Sequence, residues 1–288
     1  MERQMFIDKL AELLFRLDFD EEAKIDALKY ISTHYCFISK ASNKAYIREN
    51  DEYPIRKIKP HTRLMILIYK MVALRNTYYE KGLPEDVLFD TLSDVTLRQR
   101  MYLKQYGKLG LSDEDIMWLK HIYELNIFKL GSLQFEIGQM EYLTWKGLVY
   151  FDGISKKLHE GMPILNVHIR REVDLSKEAV DESFKRAEGF FTKYFPEHNF
   201  LAYTCNSWML YSGNQRLLTS SSSILGFARR FELIGESNTN DMAIKYIFGK
   251  RYRKKKDYPQ ETSLQKNALN NLKHLGVGCG IIWRKNKH

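Results

Sequence analysis

Polar side chains that could move a proton lie on two segments of alternating polarity. In Leu133–Gln139, Glu136 lies on the side opposite the apolar residues, and in Ile164–Arg170 the same is true of His168. Such alternation is typical of a strand with one buried face. An imidazole is suited to accepting a proton from an amine near neutrality, and a carboxylate could be a second base or orient the imidazole. His168 and Glu136 are therefore candidate catalytic residues; the alternative is a structural, hydrogen-bonded pair of side chains.

Cys205 and Ser207 lie on one side of a further predicted strand, Phe200–Leu210. A cysteine near a histidine could form a covalent acyl-enzyme. We discount Cys205, because a cysteine inside an apolar strand is usually a small core residue and no Cys–His spacing here is diagnostic. Ser207 stays a candidate catalytic residue near the end of its strand.

Two arginines lie at the end of the predicted strand that carries His168. Arg170 and Arg171 precede a predicted amphipathic helix, Lys177–Tyr194, and Ser176 lies at the start of that helix. The planar guanidinium groups suit phosphate, and a helix N-terminus favours anions. Arg170, Arg171 and Ser176 therefore form a candidate phosphate site. The alternative is a solvated turn with surface arginines.

A serine cluster, Ser220–Ser223, gives a second candidate phosphate site. Ser222 or Ser223 would cap a helix that begins at Ile224 and leave N–H groups at its positive end. The simpler interpretation, which we favour, is a serine that only caps the helix.

The elements around these residues predict a mixed sheet. Strands at Leu133–Gln139, Gly147–Phe151 and Ile164–Arg170 are followed by the helix Lys177–Tyr194 and the strand Phe200–Leu210. A strand–helix–strand unit requires a crossover, so part of the sheet is expected to be parallel. Ligands in such sheets bind at the carboxyl ends of the strands, where His168, Arg170 and Ser207 would lie.

The first half of the chain has the three- and four-residue spacing of helices. A loop is expected over Ser39–Pro60, Gly107 should end a helix, and Ser112 with Asp115 resembles a capping box. The predicted helices are Phe6–Leu17, Glu21–Tyr35, Thr62–Glu80, Pro84–Gly107 and Ser112–Phe128. The helical period breaks after residue 128. We therefore predict an α+β chain with a helical domain at 1–129 and a mixed α/β domain at 130–288.

Composition limits the class of protein. The 288 residues are 44% hydrophobic, which is enough for a core. The longest apolar run, Leu64–Tyr69, is far shorter than the roughly 20 residues that cross a bilayer. The N-terminus does not have the pattern of a signal peptide, and the cysteines do not form a CxxC pair or another metal-ligand pattern. We expect a cytoplasmic protein without a metal.

Several short motifs resemble a bacterial two-domain acyltransferase family. They are Leu130–Glu136, the His168 segment with the helix after it, Cys205–Trp208, Ser222–Ile224 and Phe227–Phe231. In that family a helical N-acyltransferase N-terminal domain precedes a GNAT-like C-terminal domain. The resemblance implies an acyl-CoA-dependent acyltransferase, with acyl-CoA as cosubstrate and a small amine or another small nucleophile as acceptor.

This chain departs from the family pattern at several positions. Ser132 replaces a usual Arg, Asn206 replaces a usual His, and the segment Arg170–Val173 is not rich in Pro and Gly. The Q/R-x-x-G-x-G/A phosphate motif of the wider fold is also missing. A second hypothesis is therefore a non-catalytic GNAT-like binding or regulatory module.

A basic segment, Lys250–Lys256, contributes much of the net charge of +9. It could bind the 3′-phosphate of CoA, or it could bind nucleic acid with Tyr252 and Tyr258 stacked on bases. We favour a mobile charged loop, because blocks of like charge are commonly solvated. A nucleic-acid-associated protein is the third hypothesis. The glycine-rich run Gly276–Gly280 follows a helix rather than a strand, so we interpret it as a bent edge strand or a splayed strand and not as a dinucleotide loop.

Overall fold

The structure is a computed structural model that describes residues 2–154 and 158–285. The chain divides into two compact units, Met1–Lys129 and Leu130–His288. Gly131 is the second residue of the second unit and has a left-handed backbone (φ 74°). A Cβ there would also lie 2.6 Å from Ser183 Oγ. Glycine is therefore required twice over at the turn that opens the second unit.

The first unit is helical, as the sequence predicts. The long fourth helix is buried on most of its sides, and its core residues include Leu64, Leu67 and Met71. The α-helices are α1 (Glu2–Arg16), α2 (Glu21–Thr33), α3 (Tyr35–Lys44), α4 (Pro60–Glu80), α5 (Glu85–Tyr106) and α6 (Asp113–Tyr123).

Two helix boundaries in this unit confirm the sequence signals. Ser112 Oγ accepts from the N–H of Asp115, whose carboxylate accepts from the N–H of Ser112, so the capping box of α6 is present. Gly107 is left-handed (φ 67°) and ends α5. The predicted loop over Ser39–Pro60 is wrong in its first part, because α3 continues to Lys44. Ile38 and Ser42, one helical turn apart, are both buried and extend the packed face.

Among the described residues, seven strands form one sheet in the order β1-β2-β4-β5-β7-β6-β3. The pair β4–β5 is parallel, whereas β2–β4, β5–β7, β6–β7 and β3–β6 are antiparallel, so the predicted mixed sheet is confirmed. The strands are β1 (Ile127–Leu130), β2 (Leu133–Gln139), β3 (Val149–Tyr150), β4 (Pro163–His168), β5 (Ala202–Ser207), β6 (Glu232–Ser237) and β7 (Val277–Trp283).

The crossover helix α7 (Lys177–Tyr194) covers one face of this sheet. Its Phe184 ring meets Phe135 of β2 edge-on at 5.6 Å and Tyr203 of β5 at 5.0 Å. Aromatic rings in this arrangement attract each other beyond the area that they bury. The remaining α-helices of the unit are α8 (Ser212–Gln215), α9 (Ser223–Ala228), α10 (Asp241–Phe248) and α11 (Ser263–Asn270).

The opposite face of the sheet is covered in part by the connection between β2 and β4. Met140, Leu148 and Met162 from this connection belong to one buried cluster with Ile164 of β4 and Ile281 of β7. This apolar cluster involves the amino-terminal end of β4. The carboxyl-terminal half of β4 carries polar side chains on the same face.

The glycine-rich strand β7 lies inside the sheet, between β5 and β6, so its interpretation as an edge strand is wrong. The glycines are needed because the chain after β5 passes directly over this strand. A Cβ on Gly278 would lie 2.7 Å from the backbone carbon of Leu210, and one on Gly280 would lie 2.5 Å from the side chain of Leu210. No described helix is both long and apolar enough to cross a membrane.

Candidate active site

A row of polar side chains crosses three neighbouring strands on the face opposite α7. The register places Glu136 of β2 opposite Asn166 of β4, and Asn166 opposite Thr204 of β5. His168 is two residues further along β4 than Asn166 and therefore lies on the same face. The alternation of the sequence and the ladder of the sheet together place these four side chains side by side.

Hydrogen bonds connect the row from end to end. Nε2 of His168 lies 2.9 Å from Oε2 of Glu136. Asn166 Nδ2 donates to the same oxygen at 3.5 Å, and Thr204 Oγ1 donates to Asn166 Oδ1 at 2.7 Å. The side chain of Glu136 is only 16% exposed and that of His168 is 30% exposed. A carboxylate at this position fixes the orientation of the His168 ring through the hydrogen bond.

His168 and Glu136 were expected from the sequence, and the structure brings them together. Asn166 and Thr204 were not expected as members of the site. The signal for Asn166 is that it shares the polar side of its strand with His168. The signal for Thr204 is weaker, because it appears only once the parallel register of β5 against β4 is known.

The ladder between β4 and β5 ends at the level of this row. The last pair in their register is Asn166 with Thr204, although β4 continues to His168 and β5 to Ser207. On its other side β5 stays paired with β7 as far as Ser207. The two parallel strands therefore part at their carboxyl ends, which is where sheets of this kind bind ligands.

Asn206 lies beyond that last pair, on the same side of β5 as Thr204. Its Oδ1 is buried and has no hydrogen-bond partner among the residues that the structure describes. An unmet buried acceptor costs about 1–3 kcal/mol. This atom is therefore a candidate for a bond to water or to a bound molecule. Asn206 is also one of the positions at which the chain departs from the family pattern.

The structure does not bring Ser207 to this row. Ser207 alternates with Asn206 and so lies on the other face of β5, where it is 7% exposed. Its Oγ accepts a hydrogen bond from the backbone N–H of Met209 at 3.3 Å. This contact caps the short 3-10 turn that follows β5. The geometry gives Ser207 a structural role, and we leave it out of the chemistry below.

The buried cysteines are unsuited to nucleophilic catalysis. Cys205 and Cys279 are both free and buried. Burial raises the pKa of the Cys205 thiol well above its usual range and that of Cys279 to about 11. The thiolate is the reactive form, so both groups stay neutral and unreactive near neutral pH.

The two arginines of the predicted phosphate site, Arg170 and Arg171, lie in the turn after β4 and have different surroundings. Arg171 donates from Nη2 to the backbone carbonyl of Lys245 in α10 at 3.2 Å, and its guanidinium lies 5.9 Å from the Tyr246 ring centroid. Arg170 is half-buried beside it. Glu172 takes a left-handed conformation (φ 61°), which gives the tight turn that glycine usually provides.

Ser176 caps α7, and a carboxylate lies beside it. Ser176 Oγ accepts from the N–H of Ala179 at 3.3 Å. Asp174 accepts from the N–H of Ser176 at 2.7 Å and from its hydroxyl at 3.0 Å. A negative charge at this helix end satisfies the dipole and repels a phosphate. The local geometry therefore favours a capping role for Ser176.

Ser222 and Ser223 begin the six-residue helix α9, which packs against α7. Ser222 is the N-cap residue, but its side chain does not bond to the helix. Whether either serine contacts a phosphate stays a prediction. No group of three or more His, Cys, Asp or Glu that could hold a metal occurs among the described residues.

Models of two protein families match consecutive parts of the chain. Residues 8–125 match the N-acyltransferase N-terminal domain, and residues 127–282 match the GNAT-like C-terminal domain. The chain belongs to this two-domain N-acyltransferase family. The predicted resemblance to a two-domain acyltransferase family is thereby confirmed. A search of curated proteins found no match.

Solved structures of acyltransferases have a similar fold. One is an acyltransferase mutant in complex with octanoyl-CoA. It is 20% identical, the match covers 96% of this chain and 88% of that one, and the TM-score is 0.73. Another is an acyltransferase in complex with decanoyl-CoA and teicoplanin, at 21% identity, 94% and 86% coverage and a TM-score of 0.72. At this level of sequence identity, the structural similarity establishes the fold alone.

Proposed function

We propose that this N-acyltransferase family member transfers an acyl group from acyl-CoA to an amine or another small nucleophile. The observation that carries the proposal is the contact of 2.9 Å between His168 and Glu136, next to the point where β4 and β5 part. A candidate base beside a gap in the sheet suits acyl transfer, because the attacking amine must lose a proton next to the bound thioester.

The gap between the strands is the proposed place for the thioester arm of the donor. Backbone groups at the end of a ladder can bond to the amide groups of a bound molecule as they would to a neighbouring strand. The related acyltransferases hold octanoyl-CoA and decanoyl-CoA, which supports acyl-CoA as the donor. Arg170 and Arg171, in the turn that follows, would lie toward the phosphates.

His168 is the proposed general base. In the tautomer in which Nε2–H donates to Glu136, the lone pair lies on Nδ1, and Nδ1 would accept the proton of the attacking amine. The new C–N bond forms at the thioester carbonyl and the C–S bond breaks. The electron pair leaves on the sulfur of CoA, and the thiolate takes a proton from the imidazolium or from water. Asn166 and Thr204 would position Glu136.

The acceptor is proposed to be a small molecule rather than a protein. One of the related structures contains teicoplanin together with decanoyl-CoA, and this supports an acceptor of that general kind. We propose an acyl chain of medium length, because the related structures hold octanoyl-CoA and decanoyl-CoA.

The release of CoA thiol during acyl transfer tests this proposal. Purified protein would be mixed with octanoyl-CoA and a panel of amine acceptors, and the same assay would be run with His168→Gln, Glu136→Gln and the exposed control His274→Gln. Loss of a positioned base slows proton transfer about 10²–10⁴-fold. We expect that loss for His168→Gln, a smaller loss for Glu136→Gln, and none for His274→Gln.

The same variants identify the outcomes that would contradict the proposal. Acyl-CoA affinity should stay unchanged in His168→Gln, because the residue acts on the acceptor. If His168→Gln kept the full rate, the base would be another group. If the wild-type chain bound acyl-CoA without turnover across the panel, the non-catalytic module would be favoured instead.

A further inference from the structure

The basic segment Lys250–Lys256 is a packed part of the second unit. Tyr252 and Tyr258 meet at 5.0 Å between ring centroids, and Tyr258, 6% exposed, meets Phe248 of α10 edge-on at 4.9 Å. Residues Lys255–Asp257 form a 3-10 turn. The segment is therefore anchored to the second unit by its two tyrosines. Because the tyrosines pack inward, they are also not presented as a stacking surface for bases.

Most of the positive charge on this segment is not neutralised by the protein. Arg251 pairs with Asp241 at 2.7 Å, and Lys255 bonds to the amide oxygen of Asn270 at 3.1 Å. The other cations are exposed and form no ion pair with any residue in 2–154 or 158–285; they are Lys250, Arg253, Lys254 and Lys256. Like charges fixed close together repel one another, and a bound anion would relieve that repulsion.

The segment lies close to the turn that follows β4. Arg171 of that turn bonds to the carbonyl of Lys245 in α10. Helix α10 is anchored by its buried Ile244 and Phe248 and leads directly into the segment. From Lys245 the chain rises by three residues along α10 to Phe248 and continues for two more residues to Lys250. The basic segment therefore begins roughly 10 Å from the Lys245 carbonyl that Arg171 contacts.

We propose that the basic segment binds the 3′-phosphate on the ribose of CoA. This inference rests on the proposed function and adds to it the part of the donor that the chain recognises by charge. A phosphate monoester carries a charge of about −1.5 to −2 at neutral pH. Lysine and arginine side chains donate charge-assisted hydrogen bonds to its oxygens. One such dianion fits a short cluster of cations, whereas a nucleic acid is bound by a longer basic groove with accessible aromatic rings.

Dephospho-CoA, which lacks only the 3′-phosphate, is the probe for this site. Titration calorimetry at one fixed salt concentration would give its affinity and that of CoA for the full chain. We expect CoA to bind at least about tenfold more tightly, which is about 1.4 kcal/mol. In the variant K250Q/R253Q/K254Q/K256Q, CoA should bind only as well as dephospho-CoA, whose own affinity should not change.

A control variant removes the same number of charges elsewhere. K29Q/K81Q/K104Q/K108Q neutralises exposed lysines of the helical unit and should keep the preference for CoA. If the wild-type chain binds CoA and dephospho-CoA equally, the proposal is wrong and the proposed function stands. If neither molecule binds, the proposed function fails as well.

Two further results would overturn the proposal. One is a basic-segment variant that still prefers CoA over dephospho-CoA, because the 3′-phosphate would then bind elsewhere. The other is salt-sensitive binding of a duplex oligonucleotide that the same variant loses while its preference for CoA persists. That result would make the segment a nucleic-acid site.

Discussion

The contact between His168 and Glu136 depends on the register of β2 against β4. Glu136 stands opposite Asn166, so its carboxylate is diagonal to His168 on the same face. Diagonal neighbours on paired strands are within reach of long side chains. A slip of one residue would turn the side chains of β2 to the other face. The proposed base and its partner are thus held by the backbone ladder and not by a loop.

At the same scale, we expect only Cys36 to react with iodoacetamide in the folded protein at mildly alkaline pH. Cys36 is exposed, whereas burial raises the pKa of Cys205 and of Cys279. Only the thiolate reacts quickly. Mass spectrometry should find one adduct on the folded chain and adducts on all three cysteines after unfolding in urea. Rapid labelling of Cys205 in the folded protein would contradict this prediction. A covalent acyl-enzyme at Cys205 would then have to be tested.

Among the elements, β7 is the strand most sensitive to side-chain size. Gly278→Ala would place a methyl group 2.7 Å from the backbone of Leu210, and backbone cannot move aside as a flexible side chain can. We expect this substitution to lower the free energy of unfolding by about 1–3 kcal/mol. Urea titration would measure the change. The control is Gly226→Ala in α9, where nothing lies within 4 Å of the added carbon. Equal stability of both variants would show that the contact with Leu210 is not rigid.

A second prediction at this scale concerns the attachment of α7. Asp181 of α7 accepts from Arg230 at 2.5 Å and from Lys177 at 2.8 Å. These cations lower the pKa of Asp181 from 3.8 to about 2. Because the folded-state pKa is the lower one, the stabilisation is present above pH 3.8 and is lost as the pH falls toward 2.

Asp181→Asn should therefore unfold more easily than the wild-type chain at neutral pH, with a difference that shrinks as the solution is acidified below the ordinary carboxyl range. Urea unfolding across this range would measure it, and exposed Glu160→Gln is the control. A difference that stayed constant down to the lowest pH would mean that the ion pairs do not cause it.

At the scale of the whole molecule, local periodicity predicted much of the fold. The alternating runs in β2 and β4 identified the faces on which Glu136 and His168 lie, and the helical spacing identified the first unit. The family motifs completed the assignment of an α+β chain.

What the sequence could not provide is long-range pairing. The interior position of β7 depends on its partners β5 and β6, which are distant in sequence. The role of Thr204 depends on the parallel register of β5. Ser176 was expected to face a phosphate, but the competing carboxylate of Asp174 becomes evident only from the hydrogen bonds between them. Such choices depend on distances that composition and spacing do not contain.

The most direct test of the account is thermal unfolding of the purified chain with CoA or octanoyl-CoA, each at one fixed salt concentration, with ATP and NAD as controls. A ligand at 100 times its dissociation constant adds about 2.7 kcal/mol to folding stability. We predict that CoA and octanoyl-CoA each raise the unfolding midpoint and that ATP and NAD leave it unchanged. An unchanged midpoint at millimolar CoA would contradict the proposal that this chain takes its acyl group from acyl-CoA.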